Sequence, residues 1–191
     1  MNNRAKILEI SYKAKACHIG SALSVIRLLE RLNKKDGIIV FSKASGIAAL
    51  YCIKYDTKTA LRALKTHPVG LGSLGHGLPI AVGMALADRK VNIFCVMGDA
   101  ELQEGTTWEC LLFKKQHKLR NLHVYVDNNG FQACGKTKDI LELPWRFLKK
   151  NGFTVVKTTK GEGVSFMENN NNYHYLNLTE ETYAKALSEV I

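Results

Sequence analysis

No Cys-x-x-Cys spacing occurs in this 191-residue chain, and its five cysteines (Cys17, Cys52, Cys95, Cys110 and Cys134) are odd in number. That pattern speaks against a disulfide framework and against a structural zinc site, so the cysteines are expected to pack as small apolar groups in a reducing compartment. A long apolar run is missing too. The best stretch, Leu71 to Ala87, is broken by four glycines, His76 and Pro79, which excludes a membrane-spanning helix there. No charged-then-apolar leader opens the sequence. A soluble cytoplasmic protein with no membrane partner is the expectation.

Acidic residues are in deficit, 17 against 27 Lys+Arg, for a formal charge of +10. Such a balance invites a nucleic-acid reading. Yet the basic residues fall in short scattered groups (Arg31/Lys34/Lys35, Lys114/Lys115/Lys118/Arg120, Arg146/Lys149/Lys150, Lys157/Lys160) without interleaved aromatics. Neither a base-stacking platform nor a recognition motif is present, so no nucleic-acid partner is expected. Linkers and internal repeats are also lacking. With 46% hydrophobic residues, residues 1–191 can bury a core and are expected to form a single domain.

What is present reads as alternating helices and strands. Ala22, Val25, Ile26, Leu29 and Leu32 recur at helical spacing over residues 22–33, predicting one inward face. Gly37 to Phe41 reads as a buried strand, Ala44 to Lys54 as the helix after it, and Thr57 as the N-cap of a helix reaching about Lys65. A glycine-rich stretch, residues 70–77, opens onto a helix from Pro79 to Ala87. Val91 to Met97, a helix near Thr107 to Lys118, and Leu122 to Val126 make a βαβ unit, hence parallel strands with a right-handed crossover. Its helix is expected to bury Trp108, Leu111, Leu112 and Leu119. A strand near Phe153 to Lys157 and a helix from Glu180 to Val190 complete the set, with Asn169 to Asn172 as a loop. The expected fold class is α/β: doubly wound, with a mainly parallel sheet and helices on both faces.

Gly98-Asp99 directly follows one strand of the βαβ unit, and Asp127-Asn128-Asn129-Gly130 follows the next. Ligands of open parallel sheets bind beyond the carboxyl ends of the strands. A carboxylate and an amide oxygen meeting there make a hard, oxygen-only site, suited to Mg2+ completed by phosphate oxygens and water. Singly, Asp99 could cap a helix and Asn129-Gly130 could make an ordinary turn. Gly70-Leu71-Gly72-Ser73-Leu74-Gly75 matches the dinucleotide fingerprint, but Pro68 interrupts the strand that motif must follow. A nicotinamide-dependent dehydrogenase is disfavoured on that ground.

These residues carry a resemblance. Gly72 to Ala87 resembles the cofactor-binding segment of transketolases, and Gly98 to Glu109 followed by Asp127 to Gln132 resembles their thiamine diphosphate motif. Cys17-His18-Ile19-Gly20-Ser21 is similar to the family's N-terminal His-x-Gly segment, and Lys160 to Glu168 to the region leading to a later histidine. The resemblance implies a thiamine diphosphate-binding fold, and Mg2+ (or Ca2+ or Mn2+ in its place) held by the side chains of Asp99 and Asn129 and the Phe131 carbonyl. It places Gly72, Leu74, Gly98, Ala100 and Glu101 with these three against the cofactor, Leu74 supporting its bent conformation. Glu104 matches an acidic residue of the family's subunit interface, and His18, His67, His76 and His174 are the histidines nearest to family positions that face the diphosphate, the reacting carbon or the sugar. The implied reaction moves a two-carbon ketol unit between sugars or sugar phosphates.

Departures from the family bear on substrate more than on cofactor. Gly-Asp-Gly is here Gly98-Asp99-Ala100, tolerable if position 100 needs no positive φ. Ser45 stands where members commonly carry a histidine after Ser-Lys-Gly, and loops before Gly70 and after Lys157 are short. Another thiamine diphosphate-dependent carboligase or decarboxylase, or a non-catalytic subunit that kept the fold, are the alternatives. The family's pyrimidine-binding domain, which supplies an activating glutamate, has no counterpart before Ile191. The resemblance is therefore to the N-terminal subunit of a split transketolase, active with a C-terminal partner that carries the pyrimidine-binding domain, with α2β2 as the expected assembly.

Overall fold

The computed structural model describes residues 2–67 and 72–191. In chain order its regular elements are helices α1 (Asn3–Ala14) and α2 (Ile19–Leu32), strand β1 (Ile38–Phe41), helices α3 (Ile47–Lys54), α4 (Thr57–Thr66) and α5 (Gly77–Ala87), and strand β2 (Ile93–Gly98). Helix α6 (Gly105–Gln116), strands β3 (Leu122–Asn128), β4 (Phe131–Gln132) and β5 (Gly135–Lys136), helix α7 (Trp145–Lys150), strand β6 (Phe153–Lys157) and helix α8 (Glu180–Val190) follow. The chain divides into two compact units, one of Met1–Glu30, Ser45–Gly70 and Thr158–Ile191, the other of Arg31–Ala44 and Leu71–Lys157.

The second unit is an α/β layer built on a four-stranded sheet of order β1-β2-β3-β6, every neighbouring pair parallel. Strand β2 is interior and all its residues are buried. That placement explains its unbroken apolar run, since a strand covered on both faces has no reason to alternate. Leu78, Ala81, Val82 and Ala85 of α5 pack with Ile93, Cys95 and Met97 of β2, Leu111 of α6, and Val124 and Val126 of β3. The expected βαβ unit is β2-α6-β3, with Gly98 in register with Asp127. Both polar groups picked out from the sequence thus leave the sheet at the same end.

The first unit is helical. Helix α1 buries Ala5, Ile7, Leu8 and Ile10 and packs against α3, α4 and α8. Its start is capped by Asn2, whose side-chain oxygen accepts from the Ala5 N–H at 2.9 Å, the ordinary stabilising use of asparagine there. The inward face expected for α2 is present: Ala22, Val25, Ile26, Leu29 and Leu32 are all buried. Helix α8 occupies the expected residues, opened by Thr179, whose hydroxyl accepts from the Thr182 N–H at 3.2 Å.

Several local expectations are corrected. β1 is not a buried strand: it lies at the sheet edge, and Ile38 is exposed. Residues 44–54 begin as a short 3-10 turn, Ala44–Gly46, before α3. Asp56, not Thr57, caps α4, because its carboxylate accepts from the Thr59 N–H at 3.0 Å. Leu112 is 65% exposed, since α6 turns it away from the sheet while Leu111 faces inward. Cys52, Cys95 and Cys110 pack as expected, but Cys134 is exposed and Cys17 half-buried. Helices α1 and α7 and the β4-β5 hairpin were not anticipated.

Candidate cofactor site at the strand ends

β2 ends at Gly98, and Asp99 begins a 3-10 turn, Asp99–Gln103. The Asp99 side chain does not cap α6. One of its oxygens accepts from the Ala100 N–H at 3.0 Å and the other from the Gly130 N–H at 2.6 Å. The two motifs, far apart in sequence, are therefore joined by a charge-assisted bond. Asn129 is buried, and its side-chain oxygen accepts from the Phe131 N–H at 3.0 Å, the local turn-forming bond of an asparagine. Phe131 then enters the β4-β5 hairpin, closed by the Thr137 N–H donating to the Gly130 carbonyl at 3.0 Å.

Electrostatics at this end are dominated by buried carboxylates. Burial pushes the Asp99 carboxyl up to about 6, and Asp127 adds to the push, while Lys43 and the Gly130 and Ala100 N–H groups draw it down. Burial likewise raises Glu101, opposed by the Ser42 hydroxyl, the Gly98 and Gly75 N–H groups and Lys43. The Lys43 ammonium forms an ion pair with the Asp127 carboxylate. Asp99, Glu101 and Asp127 thus share one buried lysine, and a further positive charge would relieve them.

A hard cation fits this donor set. Asp99 supplies a carboxylate that burial drives towards protonation, and Asn129 and Phe131, with neutral oxygens, flank the Gly130 that bonds it. No group of three or more His, Cys, Asp or Glu suited to a metal occurs among the described residues. A cation here would therefore need oxygens from a phosphate ligand or water, as Mg2+ commonly does.

Glu101 plays a structural part. One of its oxygens receives the Gly98 N–H at 2.6 Å; the other receives the Gly75 N–H at 3.1 Å and the Ser42 hydroxyl. Ser42 in turn accepts from the Gly77 N–H at 3.2 Å. This chain of bonds staples the glycine-rich segment to the ends of β1 and β2. Gly77 has no room for a side chain, since an added Cβ would lie 2.4 Å from Cβ of Ser42. Gly75 combines a φ of +76° with an added Cβ 2.7 Å from the Thr106 hydroxyl. Ala100 has no positive φ, so the Gly-to-Ala departure is accommodated.

The remaining candidates are dispersed. In this unit Gly72 has a φ of +68° with open space around it, Leu74 is exposed, and His76 precedes α5 with its Nδ1 3.0 Å from the Leu74 carbonyl oxygen. Glu104 precedes α6 and is half-buried. In the first unit, His67 is an exposed residue ending α4, whereas His18 and His174 meet edge to face with ring centroids 4.7 Å apart. Pro68, Val69, Gly70 and Leu71 lie outside the described residues, so the fingerprint match that begins at Gly70 is untested. The sequence reading gave no role to the side chains of Ser42, Lys43, Asp127 and Lys160. A lysine placed directly after an apolar strand was the available signal for Lys43.

Comparison with known proteins bears on this geometry. Residues 44–189 match the family of the thiamine pyrophosphate enzyme, C-terminal TPP binding domain. One of the named subunits of apulose-4-phosphate transketolase, from Phocaeicola vulgatus, is 30% identical in an alignment covering 98% of this chain and 91% of that protein. The 6-deoxy-6-sulfo-D-fructose transketolase subunit SqwG of Clostridium sp. is 32% identical over 62% of this chain and 56% of that protein. Among solved structures, transketolase from Leishmania mexicana superposes with a TM-score of 0.83 over 96% of this chain, at 20% identity. That likeness concerns the fold, and this chain spans only 39% of that longer enzyme. The chain belongs to the transketolase family of thiamine pyrophosphate enzymes, matching its cofactor-binding domain.

Proposed function

We propose that this chain is the diphosphate- and metal-binding subunit of a split transketolase-like transferase, moving a two-carbon ketol unit between sugars or sugar phosphates. The observation that carries the reading is the bond from the Gly130 N–H to the buried Asp99 carboxylate, which brings the two cofactor motifs to one place. Asp99, Asn129 and the Phe131 carbonyl would hold Mg2+, or Ca2+ or Mn2+ in its place, against the diphosphate. Bound thiamine diphosphate supplies the carbanion chemistry, and the protein contributes binding and orientation. Gly72, Leu74, Gly98 and Ala100 would line the cofactor. Glu101 would act through them, because its oxygens are occupied by Gly75, Gly98 and Ser42.

The partner would be a C-terminal transketolase-like subunit carrying the pyrimidine-binding domain, in an α2β2 assembly in the cytoplasm. Support comes from the relatives named as subunits and from Glu104, a half-buried carboxylate with no bonding partner among the described residues. No described helix is long and apolar enough to cross a membrane. Ser45, in the turn before α3, favours a second reading in which the donor or acceptor differs from the usual ketose phosphates, because serine cannot carry a proton near neutral pH as imidazole does.

Calorimetry of the chain with its partner, thiamine diphosphate and Mg2+ tests the assignment. Saturable binding that needs the metal and is lost in Asp99→Ala/Asn129→Ala supports it; absent binding, or binding untouched by the double substitution, overturns it. A screen of sugar donors and acceptors then separates the two substrate readings.

A further inference from the structure

A second cluster of ionisable groups lies within the helical unit. Lys160 is fully buried, with its Nζ 2.6 Å from the Asn171 side-chain oxygen and 3.0 Å from Nδ1 of the buried His174. An ammonium has donors only. With Lys160 charged, Nδ1 of His174 accepts, and the proton of the neutral ring sits on Nε2. His18, directly before α2, has a φ of +64°, a left-handed conformation histidine tolerates better than most residues. Its Nδ1 lies 3.0 Å from Sγ of Cys17. Burial raises the Cys17 thiol, so the sulfur keeps its hydrogen, which the 3.0 Å contact lets it offer to that nitrogen.

The backbone fixes the two rings to each other. The His18 N–H donates to the His174 carbonyl at 3.0 Å, and the Gly161 N–H to the Gly20 carbonyl at 2.9 Å. Gly20 leaves room for the lysine stem, with an added Cβ 3.3 Å from Cγ of Lys160. Burial, and then the Lys160 charge, lower His18. Among the described residues, the titratable groups seen against the pair include Cys17, Lys160 and Tyr175, whose ring lies 6.0 Å from His18 and 4.8 Å from His174. None of these is a carboxylate that would favour an imidazolium.

We propose that Cys17 and Lys160 are positioning residues that fix the proton of His18 and of His174 on Nε2, making His18 a neutral N–H donor to a ligand oxygen rather than a proton acceptor. The identity of that oxygen, a hydroxyl or carbonyl of the sugar, rests on the transferase reading. The tautomers themselves rest only on the local geometry. Near neutral pH the family-like histidine of the N-terminal segment then orients substrate, and a proton must be taken up elsewhere.

Long-range 1H–15N spectra of the full chain labelled at histidine nitrogen, recorded across pH without ligand, test this. The expected result is Nε2 protonation with bare Nδ1 for both rings, and a His18 midpoint below the ordinary histidine value. Lys160→Met is expected to release the His174 tautomer and raise the His18 midpoint, because a nearby like charge is removed. Cys17→Ala should alter the His18 tautomer and leave His174 unchanged. Nδ1 protonation of either native ring, or spectra of both rings unaltered by Lys160→Met, would overturn the proposal. Should Lys160→Met fail to fold, the native spectra still decide the tautomers. If they are as expected but the reconstituted complex moves no ketol unit, the transferase reading fails and the tautomer assignment stands.

Discussion

Lys43, which follows β1, pairs with the Asp127 carboxylate on β3 beyond the end of β2, and the two side chains are 5% and 0% exposed. The lysine stem passes Gly98, where an added Cβ would sit 3.6 Å from Cγ of Lys43. Desolvating two charges is costly, and the pair is retained where three carboxylates crowd the strand ends. Its place argues for an electrostatic function, offsetting the acidic groups around the proposed cation site, more than for stability.

Removing one partner strands the other. Lys43→Met is expected to destabilise the chain by about 3–5 kcal/mol in denaturant titrations, the usual cost of an uncompensated buried charge. Lys43→Met/Asp127→Leu should recover most of that loss. A double variant as unstable as the single one would show that the lysine acts through packing.

Asp99 sets a pH dependence whose sign follows from its environment. Its folded-state value is about 6 against an ordinary 3.8, so between these the folded chain binds more protons than the unfolded one. Stability of the cofactor-free chain should be greatest below the ordinary value and fall as pH rises through about 6, by up to about 3 kcal/mol. Asp99→Asn should flatten that slope and stabilise the metal-free chain at neutral pH while abolishing cofactor binding. Melting temperatures measured from pH 4 to 8 give the answer, and equal slopes in both proteins would refute it.

Two glycines of α5 should respond in opposite directions. Gly77→Ala would force a methyl group to 2.4 Å from Cβ of Ser42 and displace the bond network around Glu101, costing about 1–3 kcal/mol. Gly83→Ala meets nothing within 4 Å and should stabilise the helix by about 1 kcal/mol through propensity. Thermal melts of the two variants suffice, and a neutral Gly77→Ala would show that the staple is not tightly packed.

The parallel βαβ unit was legible because β2 and β3 are apolar runs separated by an amphipathic helix, and the meeting of Asp99 with the Asn129-Gly130 turn because both follow adjacent parallel strands at the same sheet end. Leu112 was misread because helical spacing alone does not say how wide the buried stripe of α6 is. Lys43 and Lys160 were passed over for a different reason. Position after an apolar strand hints at Lys43, but burial itself shows only through partners such as Asp127 and His174, and Asp127 lies far away in sequence.

Glu104 separates stability of the chain from assembly. It is half-buried at the start of α6, where the helix dipole favours a carboxylate only mildly, and Gly75 passes close by, since a methyl added there would lie 2.9 Å from Cβ of Glu104. Glu104→Gln keeps the shape and removes the charge, so the chain alone should change by less than about 0.5 kcal/mol. If this carboxylate bonds across the subunit interface, the same change should weaken association with the partner, or cofactor binding by the complex, about tenfold or more, since truncating a desolvated charged pair costs about 2–5 kcal/mol. Sedimentation and calorimetry of the reconstituted complex read the two effects separately. Equal losses in the chain alone and in the complex would assign Glu104 to the fold of this subunit, whereas a loss confined to the complex places it at the contact with the partner.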